Sequence, residues 1–160
     1  MQITSPIPDR LLGDAARLWW VAFAPPVSAG PPRVRPCHGI VAVGADGRLN
    51  GIAGLRDGQG GFLADTPWLA RCLYRAAPPT ADLVIDGIVV DGPGRGVGRA
   101  LLDRAAEAAG QAGHPGLRAE VEIRNTRALA FYAAVGFAEI GRGSFGWPWS
   151  GPVALLHRPV

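Results

Sequence analysis

The sequence predicts an α/β fold, a mixed central sheet with helices on both faces, and three observations predict it. Ala81 to Val90 is almost wholly apolar, as expected of a central strand buried on both faces. Val97 to about Ala112 repeats its apolar residues (Val97, Leu101, Leu102, Ala105, Ala109) at helical spacing. Leu117 to Ile123 then alternates cleanly, as a half-buried strand does. A helix between two strands makes a right-handed crossover, so these two strands are expected to run parallel. At 160 residues, 48% hydrophobic and 18% charged, the chain is long enough for one core and reads as a single domain, 1–160, without repeat or linker.

The remaining elements follow in chain order. Met1 to Ser5 suits a short edge strand. From about Pro8 to Ala24 apolar residues (Leu11, Leu12, Ala15, Leu18, Trp19, Ala22) recur at helical spacing, with Trp19 and Trp20 expected to anchor the helix on the sheet. Residues 25 to 36 hold five prolines and read as an irregular loop. His38 to Val43 and Asn50 to Leu55 flank Gly44 to Arg48, a hairpin signal with Asp46-Gly47 at its centre. Phe62 to Ala77 has mixed helical character and is closed by Pro78 and Pro79. Gly113 and Pro115 end the helix that starts at Val97. Asn125 caps a last helix with Ala128, Phe131, Tyr132 and Val135 on one face, and Gly136 ends it. Phe137 to Gly141 and Val153 to His157 suggest a terminal hairpin around Trp147 to Trp149.

Composition removes several function classes. The chain has no lysine, so all sixteen basic residues are arginine. That excludes a lysine-dependent phosphate loop and Schiff-base chemistry. Cys37 and Cys72 have no Cys-x-x-Cys spacing and no His or Asn arrangement that marks a nucleophile, so both are expected to be buried, reduced thiols. His38, His114 and His157 form no recognisable metal set. Met1 to Arg10 does not read as a secretory signal, and no apolar run approaches the roughly 18 residues of a membrane span. The expected location is the cytoplasm, and the formal charge of +3 suits a polyanionic ligand.

Between the apolar strand and the helix lies Gly94-Arg95-Gly96-Val97-Gly98. A side-chain-poor turn at a helix start presents backbone N–H groups and the positive end of the helix dipole, which suits a phosphate. A dinucleotide fingerprint fails here: counting from Gly92 its third glycine falls on Val97, and counting from Gly94 it falls on Arg99. Asn125 begins a second pattern, Asn125-Thr126-Arg127-Ala128-Leu129-Ala130-Phe131-Tyr132-Ala133-Ala134-Val135-Gly136-Phe137. The two patterns in this order resemble the GNAT superfamily of acetyl-CoA-dependent N-acetyltransferases. Asn-x-x-Ala-x-x-Phe-Tyr-x-x-x-Gly-Phe is matched in full. With Gly96 and Gly98 on the small positions of the phosphate loop, Pro93 falls where the family usually has Arg or Gln, and the loop is about two residues short.

The resemblance implies a mainly antiparallel sheet with its parallel strand pair at the cofactor site. It implies acetyl-CoA as co-substrate, with its pyrophosphate on the amides of Arg95 to Arg99. Gly94, Gly96 and Gly98 would let the backbone approach, and Arg95 and Arg99 would add charge. Val90 would pair with the pantetheine arm, and Asn125 would contact that arm or simply cap its helix. Tyr132 matches the tyrosine that protonates the leaving thiolate. Two carboxylates compete for the general base. Glu120 has the spacing to Asn125 found in ribosomal-protein N-terminal acetyltransferases. Asp86, four residues before Val90, sits where sugar-phosphate acetylating members often carry an acid, and a carboxylate in an apolar strand needs a partner or a function. Glu122 ranks third, and Asp86 is placed slightly ahead of Glu120. The implied activity is acetyl transfer to a primary amine by direct attack. The competing reading, motivated by Pro93 and the short loop, is a non-catalytic acyl-CoA binding or sensing module. The expected partner is a small-molecule or peptide amine, with no nucleic acid and no membrane; a homodimer stays open.

Overall fold

The computed structural model describes residues 1–23, 30–31, 33–65, 68–92 and 94–160. In chain order they form β1 (Gln2–Thr4), α1 (Asp9–Phe23), β2 (Gly39–Val43), β3 (Leu49–Asp57), β4 (Gly60–Gly61), α2 (Trp68–Leu73), β5 (Leu83–Val90), α3 (Val97–Ala112), β6 (Gly116–Glu122), α4 (Thr126–Ala134), β7 (Ala138–Gly143) and β8 (Val153–Pro159). The strands join in one sheet in the order β1-β2-β3-β5-β6-β8-β7, with β4 turned back on β3. Every pairing is antiparallel except β5 with β6. The mainly antiparallel sheet and its single parallel pair are as expected.

Alternation along the strands sends side chains to two cores. Ile40, Ala42, Ala53 and Leu55 point to one face, where Leu101, Leu102, Ala105 and Ala109 of α3 and Tyr132 of α4 cover them. Val41, Val43 and Ile52 point to the other, under Leu11, Ala15 and Trp19 of α1. The period of two in the strands and of 3.6 in the helices therefore produces a three-layer arrangement. Trp19 anchors α1 as expected, its ring 5.6 Å from that of Phe62.

Several expectations need correction. Among the described residues of the stretch from Phe62 to Ala77, only Trp68–Leu73 is helical. Phe62 instead continues the β4 return, its N–H donating to the Leu55 carbonyl at 2.8 Å, because its fully buried ring forms part of the floor under α1. β5 begins at Leu83 rather than Ala81, since Thr80 and Asp82 bond each other in a local turn. β3 extends to Asp57. Within the proline-rich loop, residues 24–29 and 32 lie outside the described residues, whereas Pro36–His38 form a single 3-10 turn leading into β2. Both cysteines are exposed, not buried. Cys37 lies in that 3-10 turn and Cys72 on the short α2, positions that face away from both cores.

Candidate active site

Two irregularities of β5 create the site. Its parallel pairing with β6 covers only Leu83 to Ile85 against Leu117 to Ala119. Beyond that register, Asp86 to Val90 and Glu120 to Glu122 line an open cleft of about 2090 Å³. The second irregularity is a bulge: Leu55 pairs with Ile85 and Gly54 with Gly87, leaving Asp86 as the extra residue. A bulge at this place re-aims a side chain next to the splay. The parity of β5 changes there, so Ile85, Ile88 and Val90 all pack on the α3 side.

At one end of the cleft α3 begins. Gly96 is its N-cap in the left-handed region (φ 71°), and no side chain caps the first turn. A Cβ placed on Gly96 meets nothing within 4 Å, so the space beside it is open. Gly98 is closed in by comparison: a Cβ there would come within 3.1 Å of the Phe131 ring, so this glycine lets α3 and α4 approach. Arg95 is exposed, and among the described residues Arg99 keeps only a long contact of 4.0 Å to Asp103. Unfilled backbone donors, open space and two arginines fit the pyrophosphate of acetyl-CoA. Pro93, which departs from the family pattern, lies outside the described residues.

The second pattern forms α4 as its residues dictate. Asn125 Oδ1 accepts from the Ala128 N–H at 3.1 Å, so capping is one role of this residue, which also borders the cleft. Tyr132 is buried against Phe137, ring centroids 5.0 Å apart, and also lines the cleft. Its hydroxyl makes no hydrogen bond among the described residues, and burial pushes it well above the ordinary phenol range. It therefore stays protonated at neutral pH and can serve as a proton donor.

In the middle of the cleft one guanidinium joins both candidate bases. Arg56 Nε donates to Asp86 Oδ1 at 2.8 Å, and its Nη2 lies 3.4 Å from Glu120 Oε1. Arg118, buried beneath them on β6, reaches the same Glu120 oxygen at 3.4 Å and donates to the Pro78 carbonyl at 2.6 Å. Burial pushes Asp86 up, and Arg56 offsets only part of that effect. Arg56 is itself held above its ordinary value: burial acts against its charge, but Asp86, and then Glu120, outweigh it. Asp86 and Glu120 thus face the cleft from adjacent strands, each with a second oxygen that no donor among the described residues takes. Glu122 lies at the end of β6 and pairs with Arg124 on the surface.

Tyr74, Trp147 and Trp149 add aromatic surface to the cleft. Trp147 and Trp149 are stacked, 5.3 Å apart, and Tyr74 meets Trp147 edge-on at 5.4 Å. Reciprocal backbone bonds between Arg75 and Gly146, at 2.8 and 2.7 Å, tie the segment after α2 to the β7–β8 loop. Desolvation, then Glu120 and Asp86, push the Tyr74 hydroxyl up, and Tyr74 lines the same cleft as both carboxylates.

Sequence reasoning missed Arg56 and a second cluster. Cys37 Sγ lies 3.2 Å from His38 Nδ1, and His38 Nε2 lies 3.1 Å from Asp57 Oδ1. The adjacency of Cys37 and His38 was the available signal; Asp57 has none in the sequence. Among the described residues no group of His, Cys, Asp and Glu is placed to hold a metal, and no helix is long and apolar enough to cross a membrane.

Comparison with known proteins agrees with this fold. A mycothiol acetyltransferase from Jonesia denitrificans is 43% identical over 61 residues, 38% of this chain and 19% of that protein. A nourseothricin acetyltransferase structure superposes with a TM-score of 0.57 at 25% identity, covering 76% of this chain and 64% of that one. The matches thus span about a fifth and just under two thirds of these two relatives. A further acetyltransferase structure, 21% identical, matches in fold over 100% of both chains with a TM-score of 0.74. The family model described as acetyltransferase (GNAT) matches residues 14–137, which include the uncapped α3 start, both carboxylates and Tyr132. The chain belongs to the GNAT acetyltransferase family.

Proposed function

We propose that residues 1–160 act as one N-acetyltransferase domain that moves the acetyl group of acetyl-CoA to a primary amine by direct attack. The observation that carries this reading is the Asp86–Arg56–Glu120 bridge across the splay, in the same cleft as Tyr132. An ammonium must lose its proton before it can attack, and Asp86, ionised and desolvated, is the base. Glu120 keeps Arg56 in place and is the second candidate. As the carbon–sulfur bond breaks, the Tyr132 hydroxyl donates to the departing thiolate. The α3 amides of Val97, Gly98 and Arg99, with the Arg95 and Arg99 side chains, hold the pyrophosphate, and β5 up to Val90 guides the arm toward Tyr132. Neither cysteine lines the cleft, which favours direct attack over a covalent acetyl-enzyme.

The Tyr74, Trp147 and Trp149 surface favours a small-molecule amine carried on an apolar or aromatic body. The mycothiol and nourseothricin enzymes, named for small molecules, are in keeping with that choice. Steady-state release of coenzyme A across a panel of primary amines tests the proposal. Turnover with intersecting double-reciprocal lines is the expected result. Parallel lines would indicate a covalent intermediate, and acetyl-CoA binding without turnover on any amine would leave a non-catalytic acyl-CoA module.

A further inference from the structure

Outside the cleft, the cluster built on Cys37 has the parts of an activated nucleophile. Asp57 closes the β3–β4 turn, where its Oδ1 accepts the Gln59 and Gly60 N–H groups at 2.7 and 3.2 Å. Burial works to raise its carboxyl, but the hydrogen bond to His38 and those backbone donors outweigh it and hold Asp57 below its ordinary value. An ionised carboxylate only accepts, so the hydrogen of His38 sits on Nε2, 3.1 Å from Asp57 Oδ1. In the neutral ring Nδ1 is then the bare nitrogen, and it lies 3.2 Å from Cys37 Sγ. The thiol donates to a ring nitrogen whose tautomer is fixed from behind, the order of parts expected of nucleophile, base and orienting group.

Burial separates the roles further. The His38 and Asp57 side chains are 11% and 22% exposed, whereas Cys37 is open to solvent. Asp57 and His38 could brace the β3–β4 turn without any sulfur; the thiol adds no packing to either core. Cys72 supplies a comparison within the same chain, exposed and with no imidazole bonded to it among the described residues.

We propose that Cys37 is a thiol-modification site, primed by His38 and Asp57 for exchange with low-molecular-weight disulfides. His38 Nδ1 takes the thiol proton, and the Cys37 sulfur attacks one sulfur of the disulfide. A new sulfur–sulfur bond forms to Cys37, the old one breaks, and the departing thiolate takes the proton from His38. Cys37 is oxidised to a mixed disulfide and half of the small disulfide is reduced to thiol, so no other oxidant is required. The adduct forms on the turn entering β2, and Asp57 directly follows Arg56, which holds the two cleft carboxylates.

The test treats the folded protein with glutathione disulfide and follows each cysteine by site-resolved mass spectrometry. Cys37 should react about 10-fold or more faster than Cys72 at neutral pH, an increment in the range of positioned base assistance. The two rates should converge in urea, where the triad is dispersed. His38→Gln should bring Cys37 down to the rate of Cys72, and Asp57→Asn, which frees the ring tautomer, should lower it in part. Equal rates for both cysteines in the folded protein would overturn the proposal without recourse to any variant. So would a faster Cys37 whose rate is unchanged in folded His38→Gln protein, because exposure alone would then account for it.

Discussion

Arg56 Nε donates to Asp86 Oδ1 across 2.8 Å from the neighbouring strand, at the bulge that leaves Asp86 without a pairing partner. The bond and the burial of the carboxyl act in opposite directions on how readily Asp86 ionises. Burial raises the carboxyl and Arg56 draws it down, and burial prevails. A base must be ionised to act, so the acidic limb of kcat/KM should lie above the ordinary carboxylate range. Asp86→Asn should flatten that limb and lower kcat by about 100-fold or more, with acetyl-CoA binding largely intact. Glu120→Gln should do less. Profiles of both variants check this, and the reverse ranking would make Glu120 the base.

Arg56 itself offers a test with a definite sign. Arg56→Gln removes the charge that favours ionised Asp86 and leaves burial and the Glu120 charge, both of which raise it. The acidic limb should therefore move to higher pH than in the wild type, with activity recovered in part in alkaline buffer. A limb that stays in place, in a variant shown to be folded, would separate the observed limb from Asp86.

The start of α3 is tested by Gly96→Val. Its φ of 71° makes any side chain costly, by about 1–2 kcal/mol, although no atom obstructs the new Cβ. That Cβ would occupy the open space assigned to the pyrophosphate. Acetyl-CoA should raise the Tm of the wild type, since a ligand bound only by the folded state stabilises it. The variant should remain folded with a lower Tm and lose most of that shift. A full shift would move the phosphate site elsewhere.

What the sequence disclosed follows from how local each feature is. The Asn125 to Phe137 pattern is a cap and one helical face, so the residues that define it are also the residues that touch. The α3 start is similarly local, a run of glycines between an apolar strand and an amphipathic helix. Arg56 was invisible because its partners lie 30 and 64 positions away, reached only through the β3–β5–β6 order. The bulge at Asp86 is a property of pairing with β3 and leaves no mark on β5 alone. Phe62 shows the reverse failure: its apolar neighbours imitate helical spacing, but the ring is claimed by the core beneath Trp19. Asp57 meets His38 across 19 positions through the β2–β3 register, which is why Cys37 read as an isolated thiol.

Tyr132→Phe separates catalysis from packing. The ring remains between Phe131 and Phe137, so stability and the acetyl-CoA thermal shift should hardly change. Loss of the hydroxyl removes a donor needed only as the thiolate leaves, and kcat should fall roughly 10-fold to 1000-fold. Chemistry should be shown to limit the rate, for instance by a dependence of kcat on acyl-donor reactivity. Unchanged turnover under that condition would reduce Tyr132 to a packing residue.

The aromatic side of the cleft is tested by comparing two acceptors. Trp147 and Trp149 stack on each other, and Trp149 keeps 49% of its surface exposed, an area that an apolar acceptor can cover. Trp149→Ala removes that face while leaving the Arg75–Gly146 backbone tie in place. An aromatic contact of about 1.4 kcal/mol corresponds to a tenfold change in binding. The variant should therefore show about a tenfold higher KM for an arylalkyl amine, with KM for a short aliphatic amine and for acetyl-CoA unchanged. Equal losses for both amines would mean that the loop shapes the site as a whole. No change for either would place the acceptor away from the tryptophans, nearer Tyr74 and the Asp86–Arg56–Glu120 bridge.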